Sequence, residues 1–283
     1  MPRRYPQRIV CLTEETTEAI YRLGAGDRVV GVSGYTVRPP EARRKPKISA
    51  FLSAKFDRIA ALAPDLVLAF SDLQADLVSE LIRRGFTVVT FNQRSVDEIL
   101  DMIRMLGGLL GLESAAVRLA DELNAGLDDI RASAARFSHR PRVFFEEWDD
   151  PLISGIRWVE ELVVAAGGTP IFPAAHAASL AKDRIVTPET VAAANPEIVF
   201  ASWCGKRVRK ATIAARPGWS RLSAVRDGRI HEIKSTYILQ PGPASLTEGV
   251  RQLHYWMARA VGADVAAPLH PEERVDEAED VGI

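Results

Sequence analysis

The chain reads as an α/β protein of two lobes joined by one long helix, with a ligand cleft between the lobes. Three observations predict this. Short β-branched and apolar runs alternate with longer stretches of helical period, the pattern of parallel α/β layers. A stretch of the first half reappears 132 positions later. Between the halves lies a helical stretch too long for an ordinary αβ connection.

In the first half, residues 8–12, 28–32, 65–70 and 86–91 are strand candidates, and 16–23, 73–84 and 96–110 are helix candidates. Gly24, Gly26 and Gly85 stand where those helices should stop, as left-handed capping residues do. Residues 113–137 then read as one helix. Val117, Ala120, Leu123 or Asn124, Leu127 and Ile130 or Arg131 repeat at helical spacing, and only Gly126 interrupts them. The second half restarts with strands at 142–146, 197–201 and 229–233 and helices at 159–166, 188–194 and 245–261. The expected divisions are an amino-terminal lobe 1–112, a connecting helix 113–138, a carboxyl-terminal lobe 139–263 and an acidic tail 264–283. Residues 271–283 hold six acidic residues and one Arg without an apolar face, which predicts a solvated tail.

The echo pairs residues 57–70 with 189–202, with five of 14 positions identical and four more Asp/Glu or aliphatic swaps. Each copy is a short helix, a Pro that stops it, an acidic residue and a buried strand. Two similar Rossmann-like lobes fit this better than one large sheet.

Length bounds the chain to about two domains at ~150 residues each. The 36 Lys plus Arg and 37 Asp plus Glu leave −1, without the basic footprint of a nucleic-acid binder. Hydrophobic residues at 47% and charged residues at 26% suffice for a core and exclude a disordered chain. No apolar run approaches the ~18 residues of a membrane span. Cys11 and Cys204 exclude a disulfide scaffold and an all-cysteine zinc site. The basic start, Met1 to Arg8, is followed only by Ile9-Val-Cys-Leu12, short of a signal peptide's apolar region. The expected compartment is the cytoplasm if Met1 is the native start, and the periplasm if the chain is a trimmed mature form.

No phosphate loop, HExxH or post-strand GxGxxG is present, and Gly31-Val-Ser33-Gly34 lacks the spacing of a nucleophile elbow. The five His residues are scattered. A non-catalytic protein without intrinsic cofactor or metal is therefore expected. What remains lies at the carboxyl ends of strands, where open α/β sheets place their ligands. Thr13-Glu14-Glu15-Thr16 follows the first strand and also suits a helix N-cap. Glu146-Glu147-Trp148-Asp149-Asp150 is either a solvated loop or, beside an aromatic, a place for a cation or polar ligand. Tyr35, Phe51, Phe70, Trp148, Trp158 and Trp203 offer flat faces at strand ends and loops of both halves. An aromatic-lined cleft is a binding site.

These residues resemble a known family. Arg8-Ile-Val-Cys-Leu-Thr13 with Thr17-Glu18, Val30-Gly-Val-Ser-Gly-Tyr35 with Pro39-Pro40, and Ser49-Ala-Phe51 carry the likeness. So do Ile59-Ala-Ala-Leu-Ala-Pro-Asp-Leu-Val67, Ile153-Ser-Gly155, Ala166-Gly-Gly168 and Pro188-Glu-Thr-Val191. Over residues 8–261 the chain is similar to substrate-binding proteins of ABC importers, of the helical-backbone class serving cobalamin, ferric siderophores and haem. Its nearest look is to the cobalamin binders. The resemblance implies a monomer with a corrinoid as transported ligand, an ABC permease as partner and modest lobe closure. By position it implies ring contacts from Tyr35, Phe51, Phe70 and Trp203, and permease docking by Asp57 and, through the repeat, Glu189. Thr236 and Gln240 stand where the family has a ligand-contacting Asp and Arg. Glu15 and the run from Glu146 to Asp150 make the pocket more acidic than the family's.

The expected ligand-binding residues are thus Glu15, Tyr35, Phe51, Phe70, Glu147, Trp148, Asp149, Trp203 and Gln240. Stacking supplies ~1–3 kcal/mol per buried aromatic face, and the polar members orient the ligand. Two alternatives keep the fold. One binds an organic cation or a ferric siderophore, the latter disfavoured by few cleft cations (Arg38, Arg157 and Lys206). The other is a metal-binding or enzymatic protein using Glu14, Glu15, Glu146, Asp149 and Cys204.

Overall fold

Strand β1 (Ile9–Cys11) is buried on both faces, as its unbroken apolar run requires, and helix α1 (Glu14–Arg22) returns the chain to a parallel β2 (Val29–Ser33). The computed structural model describes residues 5–173 and 180–268. A short hairpin follows, β3 (Lys47–Ala50) and β4 (Ser53–Ala54), and then helix α2 (Phe56–Ala61). Next come β5 (Leu66–Phe70), α3 (Ala75–Arg83) and β6 (Val88–Phe91). The sheet runs β4-β3-β2-β1-β5-β6 and is parallel except for the hairpin. The hairpin escaped the sequence reading because Lys47-Ile-Ser-Ala50 is too short and mixed to show a period.

Helix α4 (Val96–Leu110) starts at a capping box of Ser95 and Glu98, ends at the left-handed Gly111, and packs along α5 (Glu113–Ala134). The second sheet begins with β7 (Arg142–Asp149), β8 (Leu152–Ser154), α6 (Arg157–Ala165) and β9 (Thr169–Pro170). It continues through α7 (Pro188–Ala194), β10 (Ile198–Ala201), α8 (Lys210–Ala214), α9 (Ser223–Arg226) and β11 (Ile230–Glu232). Its order is β11-β10-β7-β8, with β9 also pairing β7. Helix α10 (Ser235–Ile238) leads through a π-helical turn, Ser245–Gly249, into α11 (Val250–Ala260). The single helix expected over 245–261 is thus broken at its start, where Gly249 lies against the Tyr237 carbonyl.

The echo is structural. Helix α2 with β5, and α7 with β10, place their strands beside the central strands β1 and β7. Both copies turn through a non-glycine left-handed residue, Ala63 and Asn195, each at φ 42°. Gly24 and Gly85 have the expected positive φ, but Gly26 does not. It opens a 3-10 turn, and a Cβ there would fall 2.5 Å from the Tyr21 ring.

One hydrophobic cluster runs from Ile9 and Leu68 through α4 and α5 to Phe145, Trp158 and Met257. Separate clusters fill the outer faces of the two sheets, around Ile48 and Leu81 in one and Phe144 and Trp219 in the other. The lobes share the first of these clusters as a core. Beyond residue 268, the expected acidic tail lies outside the described residues.

Candidate functional site

In each sheet the connections reverse direction beside the central strand, between β1 and β5 in the first and between β7 and β10 in the second. Such switch points open a crevice at the strand carboxyl ends. The two crevices face each other. The charges of Glu14 and Glu147 both act on Cys204, and those of Arg94 and Arg184 act across the gap. The Arg38 guanidinium stands 5.0 Å from the Tyr237 ring centroid, and Gln93 Nε2 donates to Pro241 O at 3.0 Å.

The amino-terminal wall is built on buried acids. Glu14 accepts from Ser33 Oγ at 2.7 Å, and the Thr13 hydroxyl donates to Glu15. Burial raises the pKa of both, and with the neighbouring Glu14 charge it pushes Glu15 up to about 8. Glu15 is 2% exposed. A Cβ on Gly242 would lie 2.6 Å from the Glu15 Cβ. Glu15, expected to meet the ligand, is thus floor beneath the 241–243 loop, because only a glycine lets that loop seat on α1. Gln240, also expected at the ligand, is half-buried in the same loop.

Aromatic and aliphatic side chains rim this wall. Tyr35 is 43% exposed and Leu52 64%, with Leu73 exposed as well. Phe51 sits in the β3–β4 turn at φ 45°. Gln74, which sequence reasoning missed, fixes it: Nε2 donates to Phe51 O at 2.6 Å, while Oε1 accepts from Phe70 N at 2.9 Å. Phe70 itself is nearly buried, with the Arg94 guanidinium 5.2 Å from its ring centroid.

The carboxyl-terminal wall differs. Three of the four carboxylates in the acidic run are engaged. Glu146, 0% exposed, receives both terminal nitrogens of Arg216 at 2.5 and 2.8 Å and Trp203 Nε1 at 3.1 Å. Burial still pushes its pKa up, against the pull of Arg216. Glu147, at an irregularity in the β7–β8 pairing, turns to Arg184 at 2.6 and 3.0 Å. Asp149 pairs with Lys206. Nearby Glu160 is pushed up to about 8, chiefly by burial. Glu147 and Asp149, expected to orient a ligand, thus already hold cations of their own lobe. Trp203 is 4% exposed, which makes it a wall rather than an open stacking face, whereas Trp148 is half-buried. Trp158 is core and donates to Ile238 O. Arg184, Arg216 and Arg94 carried no local signal in the sequence, since their partners lie far along the chain.

Among the described residues no three His, Cys, Asp or Glu side chains converge on one point. Glu146 is locked to Arg216, and Cys204 is a free thiol whose pKa is raised, chiefly by desolvation and also by the charges of Glu14 and Glu147.

Residues 9–237 match the model of the periplasmic binding protein family. The chain belongs to this family. An uncharacterized ABC transporter substrate-binding lipoprotein of Bacillus subtilis is 29% identical to this binding protein, over 89% of this chain and 80% of that one. A vitamin B12-binding protein of Vibrio cholerae is 27% identical, over 85% of each chain. Among solved structures, the periplasmic vitamin B12 binding protein of Vibrio cholerae superposes with a TM-score of 0.73 at 25% identity, covering 90% of this chain and 98% of that one. A periplasmic heme-binding protein from Roseiflexus sp. RS-1 gives 0.77 at 26%, covering 90% and 99%. The chain is a solute-binding protein of the ABC-transport type, a class that takes up a small ligand and works with a permease. Its relatives are solute binders rather than enzymes. No helix among the described residues is long and apolar enough to cross a membrane.

The two residues expected at a permease lie on the surface of this binding protein. Asp57 is fully exposed on α2, 3.7 Å from Arg84. Glu189 is exposed at the start of α7, on a surface depression of about 420 Å³ that Asn195, Gly218 and Arg221 also line.

Proposed function

We propose that this binding protein holds one corrinoid flat between its two lobes, residues 1–112 and 139–263, as a monomer, and delivers it to an ABC permease. One observation carries the reading: exposed apolar side chains lie beyond strand ends in both sheets. Tyr35, Leu52 and Leu73 follow β2, β3 and β5 in one lobe, and in the other Ile185 bridges Ile153, the register partner of Trp148. Surface apolar groups at strand ends suit a large, flat, apolar-faced molecule. The vitamin B12-binding relatives, matching over most of their length, support the same cargo. Tyr35, Phe51 and Trp148 stack on the ring, with Phe70 and Trp203 as wall behind them. Asp57 and Glu189, the equivalent points of the repeat, meet basic side chains of the permease. The lipoprotein relative supports work at the outer face of a membrane.

Calorimetric titration with cyanocobalamin and cobinamide tests this. Binding of one ligand per chain at micromolar strength or tighter is expected. No heat with either overturns the corrinoid reading.

A further inference from the structure

Lys206 lies in the loop after β10. Its ammonium stands 3.9 Å from the Trp148 ring centroid and 5.1 Å from that of Trp203, and it pairs with Asp149. Two indole faces and a carboxylate around one cation are the surroundings an alkylammonium group seeks in any binding site. The cage walls are fixed without Lys206. Trp148 Nε1 donates to Asp150 O at 2.9 Å, and Trp203 Nε1 donates to Glu146, which Arg216 holds. Lys206 is the movable part. Its side chain is 40% exposed, and it follows Gly205, whose φ of 75° makes the turn that brings it back over β7.

We propose that Trp148, Trp203 and Asp149 form a cation-binding cage, filled here by the chain's own Lys206, and that Lys206 is a plug cargo displaces from the Trp148 face. The cage takes small organic cations, primary or quaternary ammonium groups, once the plug is gone. The plug role rests on the proposed stacking of cargo on Trp148. There Lys206 and a ring compete for one indole surface, so apparent affinity falls by the fraction of chains in which the plug is seated. A neutral flat cargo is penalised by this, while a cargo carrying an ammonium on its edge replaces Lys206 like for like. Lys206 thereby sets cargo preference from outside the cleft's polar floor.

The test uses Lys206→Ala and Lys206→Gln in the full chain, with thermal unfolding as the check that both fold. Tetramethylammonium, followed by tryptophan fluorescence, should give a saturable change in both variants and none in the unmodified chain. Adding Asp149→Asn should abolish it. Cyanocobalamin affinity should rise about two- to fivefold on Lys206→Ala, the scale of an exposed cation–π contact. No saturable change in either variant overturns the cage. Equal or weaker cyanocobalamin binding by Lys206→Ala overturns the plug. Failure of every form to bind cyanocobalamin overturns the corrinoid reading, and the tetramethylammonium titration then decides the cage by itself.

Discussion

Two acidic clusters end the central strands of the two sheets, and the chain settles their charge in opposite ways. After β1, Glu14 and Glu15 are held by the hydroxyls of Ser33 and Thr13, and burial shifts both toward the protonated form. On β7, Glu146, Glu147 and Asp149 meet Arg216, Arg184 and Lys206. One wall relies on hydroxyl donors and the other on ion pairs. A carboxylate run in a sequence therefore carries no fixed electrostatic meaning. What decides it is whether the fold delivers a cation, here from 70, 37 and 57 residues away.

The largest test removes a cation from the paired wall. Arg216→Ala strands the buried Glu146 carboxylate and should cost about 3–5 kcal/mol in urea unfolding, with Glu146→Gln added to the variant restoring part of it. A loss below about 1 kcal/mol would mean that Glu146 does not depend on its partner, and the contrast between the walls would fail. Ser33→Ala, on the hydroxyl-held wall, removes the donor to Glu14 and the acceptor for Tyr35 N. It should cost about 1–3 kcal/mol by the same measurement, so the ranking of the two variants is itself a check. Trp148→Ala should weaken cyanocobalamin at least about tenfold, the equivalent of ~1.4 kcal/mol, while unfolding changes little. Unchanged affinity would remove Trp148 from the site.

The last effect is a pH dependence. Glu15 has a folded pKa near 8 against an ordinary 4.5, so the folded chain keeps a proton that the unfolded chain gives up. Its stabilising contribution is complete below pH ~4.5 and declines as pH rises through about 8. The melting temperature should therefore fall between pH 6 and 9, and Glu15→Gln, which keeps the acceptor for Thr13, should flatten that fall. A Glu15→Gln chain with the same slope would assign the dependence elsewhere, with Glu160, also near 8, the next group to replace.

Much of the architecture was legible because its signals are local. The buried run at β1, the period of α5 and the Pro-punctuated echo each lie within a few turns of chain. The echo even placed two left-handed residues, Ala63 and Asn195, at equivalent points. The β3–β4 hairpin and the π-turn before α11 were missed, since one depends on sheet pairing and the other on the approach of Gly249 to Tyr237. At the strand ends, the sequence singled out Tyr35, Phe51, Phe70 and Trp148, of which Tyr35 is exposed and Phe70 nearly buried. It could not show that Glu15 lies under Gly242, or that Gln74 ties Phe51 to Phe70.

The sequence by itself determined two α/β lobes on a long helix, aromatics at strand ends, and the family likeness. Those follow from periodicity and composition, which the chain writes along its own length. Only the tertiary structure decided which carboxylates meet a cation, which aromatic faces stay open and how closely the lobes meet. Each of those depends on distances between residues far apart in the chain, and desolvation and Coulomb energies change steeply over a few ångströms.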